Sequence, residues 1–253
     1  MASRGRKLGI GLFVLLVIVV GLLVAVDRAG AAAAESVIAD QAAKEMKARN
    51  ISSAQRPDVS VGGFPFLTQV LAGRYDKVTI TVKEPSTGTV KLENLTLVAA
   101  PVHAPLKALT SHQGEITADL VTGTASMTWA EVIKLLEVAG APGIDPSSVQ
   151  LTVVDDQVHL RIPIAASGFQ GAVTATGTLA VADGKVRVKL TNVASEGGNI
   201  PPVIARFVNS AAQNLTLNIK IPAMPYKLTI KKVETTKTGI VATAAADHVR
   251  LAG

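Results

Sequence analysis

The chain has 253 residues, 48% hydrophobic and 17% charged, with a formal net charge of +6. That is too apolar for a disordered chain and long enough for one substantial domain. It contains no cysteine, which excludes a disulfide scaffold, an iron–sulfur site, a cysteine-built zinc site and a cysteine nucleophile. One Trp, two Tyr and five Phe are too few rings for a stacked-base nucleic-acid platform.

The first element is an apolar run, Leu8 to Val26, free of charged side chains. As a helix it is about 28 Å long, close to the hydrocarbon thickness of a bilayer. Arg4, Arg6 and Lys7 precede it, while Asp27 and Arg28 behind it cancel. This bias keeps the amino terminus in the cytoplasm and sends the remainder across. Two fates fit. The run stays as a signal anchor, or a peptidase cuts it at the small residues 29–34. An apolar stretch longer than a signal-peptide core favours the anchor. The chain thus divides into residues 1–28, a cytoplasmic tip with a membrane segment, and residues 29–253, an exported domain that is secreted or periplasmic if the segment is cut.

Ala33 to Asn50 reads as a helix, rich in Ala, Glu, Lys and Met. After Gly62-Gly63, the segment Phe66 to Gly73 reads as a short helix with Phe66, Val70 and Leu71 on one side and Gly73 as its cap. Tyr75 to Lys83 alternates as a strand. Val90 and Leu92 keep one parity and Leu95 and Leu97 the other, which implies a bulge or bend near Glu93-Asn94. Ile116 to Met127 is extended. Thr128-Trp129-Ala130-Glu131 then resembles a capping box, opening a helix that carries Trp129, Ile133 and Leu136.

Two hairpins follow, turning at Asp155-Asp156 and at Asp183-Gly184. Pro201-Pro202 starts another helix, carrying Phe207. Strands at Leu215–Ile221, Tyr226–Val233 and Ile240–Ala246 finish the chain. The order implies an α+β fold with an antiparallel sheet; a Rossmann fold lacks both its alternation and its glycine fingerprint here. The strand faces are Val, Leu, Ile, Ala and Thr. Such small branched groups pack into a filled core, or they wall an elongated cavity. Periodicity does not separate the two, and composition favours the filled core.

Catalytic signatures are missing. There is no Gly-x-Ser-x-Gly elbow, no Walker loop, and no pair among His103, His112, His159 and His248 at metal-ligand spacing. His159 reads as surface-facing. Asp155-Asp156 reads as a turn. No metal or cofactor is implied. Residues 184–253 carry ten basic and three acidic side chains. That surface suits an anionic partner such as lipid headgroups or nucleic acid, although lysines on exposed strands also serve solubility and edge protection.

The run Phe64-Pro65-Phe66-Leu67-Thr68-Gln69-Val70-Leu71-Ala72-Gly73-Arg74-Tyr75-Asp76-Lys77-Val78 resembles the opening motif of the LmeA-like phospholipid-binding family of actinobacterial envelope proteins. The closing stretch is similar too, from Ile221-Pro222 through Pro225-Tyr226-Lys227-Leu228-Thr229-Ile230 to Gly239-Ile240-Val241. The resemblance spans residues 35–251. It implies a tubular lipid-binding-like fold, in which one long curled antiparallel sheet packs around helices behind a single transmembrane helix. It also implies non-catalytic binding of phospholipid acyl chains in an apolar groove at the outer side of the cytoplasmic membrane, supporting envelope lipid or lipoglycan maturation or transfer. Phe64, Phe66, Leu67, Val70 and Leu71 are candidates for the groove mouth or a membrane-facing edge. Trp129, Ile133, Leu136, Phe207 and Met224 are candidates for its lining, and Lys227, Lys231 and Lys232 for attracting a headgroup. The expected partners are membrane phospholipid and, through residues 8–26, the bilayer itself; nucleic acid is not expected. The competing reading is a structural or interaction domain of the envelope with a solid core.

Overall fold

A computed structural model of the chain describes residues 3–88, 90–111, 114–137, 148–154, 157–166, 169–182, 185–196, 202, 206 and 228–252. The longest element is α1, Ser3–Ala48, a single helix of 46 residues, about 69 Å at 1.5 Å per residue. The expected separate helix from Ala33 is therefore the outer part of one rod. The alanine run contains no proline, and its one glycine, Gly30, is tolerated inside a long helix. The rod crosses the expected 28/29 boundary without interruption.

Next come β1 (Asp58–Gly62), α2 (Phe66–Ala72), β2 (Arg74–Tyr75), β3 (Lys77–Lys83), β4 (Asn94–His103), α3 (Leu106–Ser111), β5 (Ile116–Thr128) and α4 (Trp129–Glu137). Four strands follow in succession: β6 (Gln150–Val154), β7 (Gln157–Ala166), β8 (Phe169–Ala182) and β9 (Lys185–Glu196). Then β10 (Thr229–Thr235) and β11 (Gly239–Ala252) return to the first group.

One continuous curled sheet was expected, and the strand order overturns it. There are two separate antiparallel sheets, neither curled into a tube nor closed. The larger runs β1-β3-β4-β5-β11-β10, with β2 paired to β4; the smaller is the plain meander β6-β7-β8-β9. The cause is competition for an edge. β11 pairs with β5 from Gly239↔Thr128 to Ala252↔Ile116 and so occupies the side on which the meander would have extended the sheet. β6 to β9 then pair only with one another, through the predicted hairpin registers Val154↔Gln157 and Ala182↔Lys185.

The larger sheet buries one face. Val61, Val102, Ala118, Val121 and Val249 meet Ala31 of α1, Phe66 of α2 and Tyr75 in its main cluster. His248, at φ 52, breaks the alternation of β11, so Ala246 and Val249 both reach this cluster. At the far end Met127, Val132 and Ile240 pack with Trp129, Leu179 and Val233. Val186 of β9 joins Ile230 and Ala244, which ties the small sheet to the β10 edge. The capping box is half formed. Thr128 Oγ1 accepts the Glu131 N–H at 3.4 Å, but the Glu131 carboxylate pairs with Lys134 at 2.6 Å instead of returning to the cap. The parity change falls before β4 begins at Asn94. Leu92 N–H donates to Pro85 O at 2.9 Å, and Glu93 N–H donates to Ser126 O at 2.8 Å.

Candidate functional site

The helix α1 is two things in sequence. From Phe13 to Val26 its large apolar side chains are almost all exposed, and a window of it has mean hydropathy 2.4 with 6% buried inside the protein. It is long and apolar enough to cross a membrane. Beyond Val26 the same helix belongs to the domain. Ala31 and Ala39 are buried, and Ala34 and Ile38 pack on the main cluster. Polar clamps repeat along it. Glu35 accepts the Val61 N–H at 2.9 Å, and Arg56 bonds Ser36 O at 2.7 Å and pairs with Asp40 at 2.8 Å.

The junction between these halves is Asp27. Its residue exposure is 3%, yet it carries a charge. The carboxylate accepts the Leu67 N–H at 2.8 Å and pairs with Arg28 at 2.6 Å. A helix leaves its first N–H groups unsatisfied, and an acceptor at that end is stabilising. The residue before α2 is Pro65, which makes no side-chain cap, so Asp27 caps α2 from another helix. Burial alone pushes the Asp27 pKa up. The Leu67 amide, Arg28 and the Phe66 amide outweigh it and hold the carboxyl below its ordinary value of 3.8. A group depressed in the folded state contributes stability above its unfolded pKa and loses it as pH falls through the folded one. The grip of α1 on α2 is therefore expected to be full at neutral pH, to weaken once the pH falls below the ordinary carboxylate value, and to be lost as it falls through the lower folded-state pKa. Protease nicking within residues 62–73 measures it. Asp27→Ala, which removes the acceptor, is expected to be nicked at pH 7 faster than the native chain, and equal resistance of the two proteins at pH 7 would remove Asp27 as the latch.

The helix α2 is apolar on two sides. Phe66 and Gln69 are buried, and Val70 packs against the main cluster. The Phe66 ring lies 6.1 Å from that of Tyr75, and a Cβ on Gly30 would meet it at 3.5 Å. Gln69 is satisfied at both ends, donating to Gly62 O and accepting the Asp76 N–H. Gly73 ends the helix as predicted, at φ 65, with its N–H turned back to Gln69 O and Val70 O. The opposite side is open. Phe64 is 63% exposed, Leu67 39% and Leu71 83%. Leu67 and Leu71, four residues apart, share one helical face; Phe64, in the segment just before α2, adds a third exposed apolar group to this stripe. Leu71 was expected beside Phe66 and Val70. Five residues from Phe66 is about 140° around the helix, so it falls in line with Leu67 instead. The Arg28 guanidinium stacks on the Phe64 ring at 5.1 Å from its centre.

The remaining candidates lie apart from this junction. Trp129 and Ile133 are half-buried in α4, and Trp129 Nε1 donates to Thr236 O at 3.2 Å, as an ordinary packed indole does. Leu136 sits on the last turn of α4. Lys231 and Lys232 are exposed on β10, with Lys232 paired to Glu234 at 2.7 Å. Phe207, Met224 and Lys227 lie outside the described residues, as do the expected helix core from Val203 and the strand Leu215–Ile221. His159 is exposed in β7, as expected.

The inner face of the larger sheet has apolar rows in which Ile80, Leu95 and Leu97 keep partial exposure while Val82 and Gly123 are buried. Ile80, Leu97 and Gly123 are in register, as are Val82, Leu95 and Ala125. Leu228 closes over Gly123, where an added Cβ would meet Leu228 and Leu97 at 3.2 Å each. Two hollows found among the described residues are mixed in polarity. One, about 260 Å³, lies under Met46, Ile51 and Pro57; the other, about 320 Å³, is lined by Thr152, His159, Arg161 and Asn192. Neither is an elongated apolar tube. Among the described residues no three His, Asp or Glu side chains gather as a metal site, and His103 with Asp119 at 3.0 Å is an exposed pair.

These features define an α+β protein whose leading helix exposes its apolar first half and packs its second half on the core, with exposed apolar groups and cations near the junction of the two. No curated protein and no solved structure matches the chain. Residues 25–245 match the LmeA-like phospholipid-binding family, and the chain belongs to it. The family is described as phospholipid-binding.

Sequence reasoning missed Asp27, Arg28 and Gly30. It treated the first two as cancelling charges behind an apolar run. The available signal was a carboxylate directly after that run, followed by small residues at a helical spacing that admits a second helix.

Proposed function

We propose that this protein is a non-catalytic phospholipid binder, held at the outer face of the cytoplasmic membrane by residues 8–26 and kept there as an uncut anchor. The observation that carries the tether is the continuity of α1. Asp27, Ala31 and Ala39, on the same helix as the exposed apolar sleeve, are buried parts of the domain. Cutting in the run 29–34 would remove the α2 cap and separate Ala31 from its packing. Acyl chains would lie along the half-buried rows of Ile80, Leu95 and Leu97 on the inner face of the larger sheet. An open apolar face replaces the tube that the family resemblance first implied. Each methylene taken out of water there contributes roughly 0.8 kcal/mol. Exposed Lys231, beside the partly buried Val233, is placed to attract an anionic headgroup. Supporting envelope lipid or lipoglycan maturation, or transfer, is the role such a binder would serve.

The test is native mass spectrometry of the full chain, extracted in mild detergent. Two results are expected together: an intact mass that includes the amino-terminal helix, and a retained phospholipid. A chain shortened in the run 29–34 overturns the tether. A lipid-free protein that also fails to load phospholipid from vesicles overturns the ligand.

A further inference from the structure

The stripe of Phe64, Leu67 and Leu71 is not what seats α2 on the sheet, because Phe66, Gln69 and Val70 supply its inward face and of the three only Leu67 also borders Gly30 of α1. Three large apolar groups left in water cost stability without return unless something covers them. We propose that α2, with α3 beside it, is a membrane-docking element that lies in the headgroup zone of the bilayer crossed by α1 and sets the tilt of the domain on its anchor. The proposal rests on the tether reading above.

The position of the stripe argues for a bilayer as the occupant. The carboxylate that holds Leu67 belongs to Asp27, the residue directly after the apolar sleeve ends at Val26. Gly30, which faces Phe66 and Leu67, is three residues further on. The amino-terminal end of α2 is therefore pinned within about one helical turn, some 5 Å, of the end of the membrane span. A soluble partner gives no reason for that coincidence of height.

The neighbouring surface has the same character. α3 starts where α2 stops, since Ala104 N–H donates to Gly73 O at 2.9 Å and Arg74 is in register with His103. Leu106 and Leu109 of α3 are exposed and three residues apart. Cations are interleaved: Arg28 on the Phe64 ring, exposed Arg74 directly after α2, and Lys107 between the two leucines. Short helices with outward Leu, next to an exposed Phe and among Arg and Lys, suit an interface of acyl chains beneath phosphates. Of the acidic groups here, Asp27 is buried and committed to α2, and Asp76 is exposed on the β2–β3 link.

The absence of cysteine makes the test direct. Leu71→Cys, Phe64→Cys and Leu109→Cys are made singly in the full chain, labelled with an environment-sensitive dye, and reconstituted into phosphatidylcholine–phosphatidylglycerol vesicles carrying a shallow spin-labelled quencher lipid. Ala48→Cys is the reference, 21 residues beyond Asp27 on the same helix, about 32 Å away. Quenching at positions 71 and 64 is expected to exceed that at 48 at least threefold and to survive dilution with excess lipid. Quenching equal to that at position 48 overturns docking. Dye burial that vanishes on lipid dilution means that a second copy of the chain covers the stripe, and overturns it too. Retained phospholipid is measured on the same samples. Unquenched dyes with lipid still bound defeat docking alone; quenched dyes with no bound lipid leave docking standing and defeat the ligand reading.

Discussion

Phe66→Ala is expected to cost about 3 kcal/mol or more, the usual price of emptying a buried aromatic site. Phe66 is 6% exposed and touches three things at once: the tilted ring of Tyr75, Gly30 of α1, and the main cluster that includes Val61, Val102 and Val121. The cavity left behind would sit between the anchor helix and the sheet, where neither rod nor strands can collapse inward. The matched control is Phe64→Ala. That ring is 63% exposed and stacked only by Arg28, so its loss is expected to change stability by less than about 1 kcal/mol. Urea unfolding of the two variants in the same detergent compares them. Equal midpoints would mean that α2 does not pack through Phe66, and the geometry of the whole junction would be wrong. The two phenylalanines are separated by one proline, yet the larger effect on folding is assigned to one and the lipid contact to the other.

Gly239→Ala is expected to be of similar severity for a different reason. A Cβ at Gly239 would sit inside the carbonyl of Met127, with the carbonyl carbon at 2.8 Å and Thr128 Cα at 2.9 Å. Those are backbone atoms of a paired strand, so no side chain can swing aside. The close approach is built by the turn between β10 and β11, where Gly239 N–H donates to Thr236 Oγ1 at 3.0 Å and Thr236 N–H donates to Gly239 O at 2.8 Å. The same corner starts α4, because Trp129 N–H donates to Thr238 O at 3.1 Å. Opening it unzips the first pair of the β5–β11 ladder and releases the indole. A loss of about 3 kcal/mol is expected. Thermal unfolding measures it, and a native-like midpoint would show that the strands separate at little cost.

Several elements were legible because each rests on local chemistry. The apolar run from Leu8 declares a membrane-length helix whatever follows it. Gly73 was readable as a helix stop because only a residue tolerant of positive φ closes such a turn. Thr128 at the start of α4 and the hairpins around Val154 and Ala182 were readable from capping and turn chemistry. Leu71 was misplaced because a seven-residue helix offers too few positions to fix the direction of its face. Either Leu67 with Leu71 or Phe66 with Val70 could have turned inward, and the rings of Phe66 and Tyr75 decided it by meeting.

Composition and periodicity by themselves determined that this is an α+β protein without cysteine chemistry, led by a helix fit for a bilayer and built from alternating strands. They do so because propensity, turns and hydrophobic period act over a few residues. Only the tertiary structure decided how many sheets those strands make, since β11 reaches back more than a hundred residues to claim the edge of β5. It also decided that the anchor and the domain share one unbroken rod and that Asp27 holds α2 against it, 40 residues further along the chain. Long-range pairing and burial of a charge depend on which surfaces meet, and no local pattern encodes that.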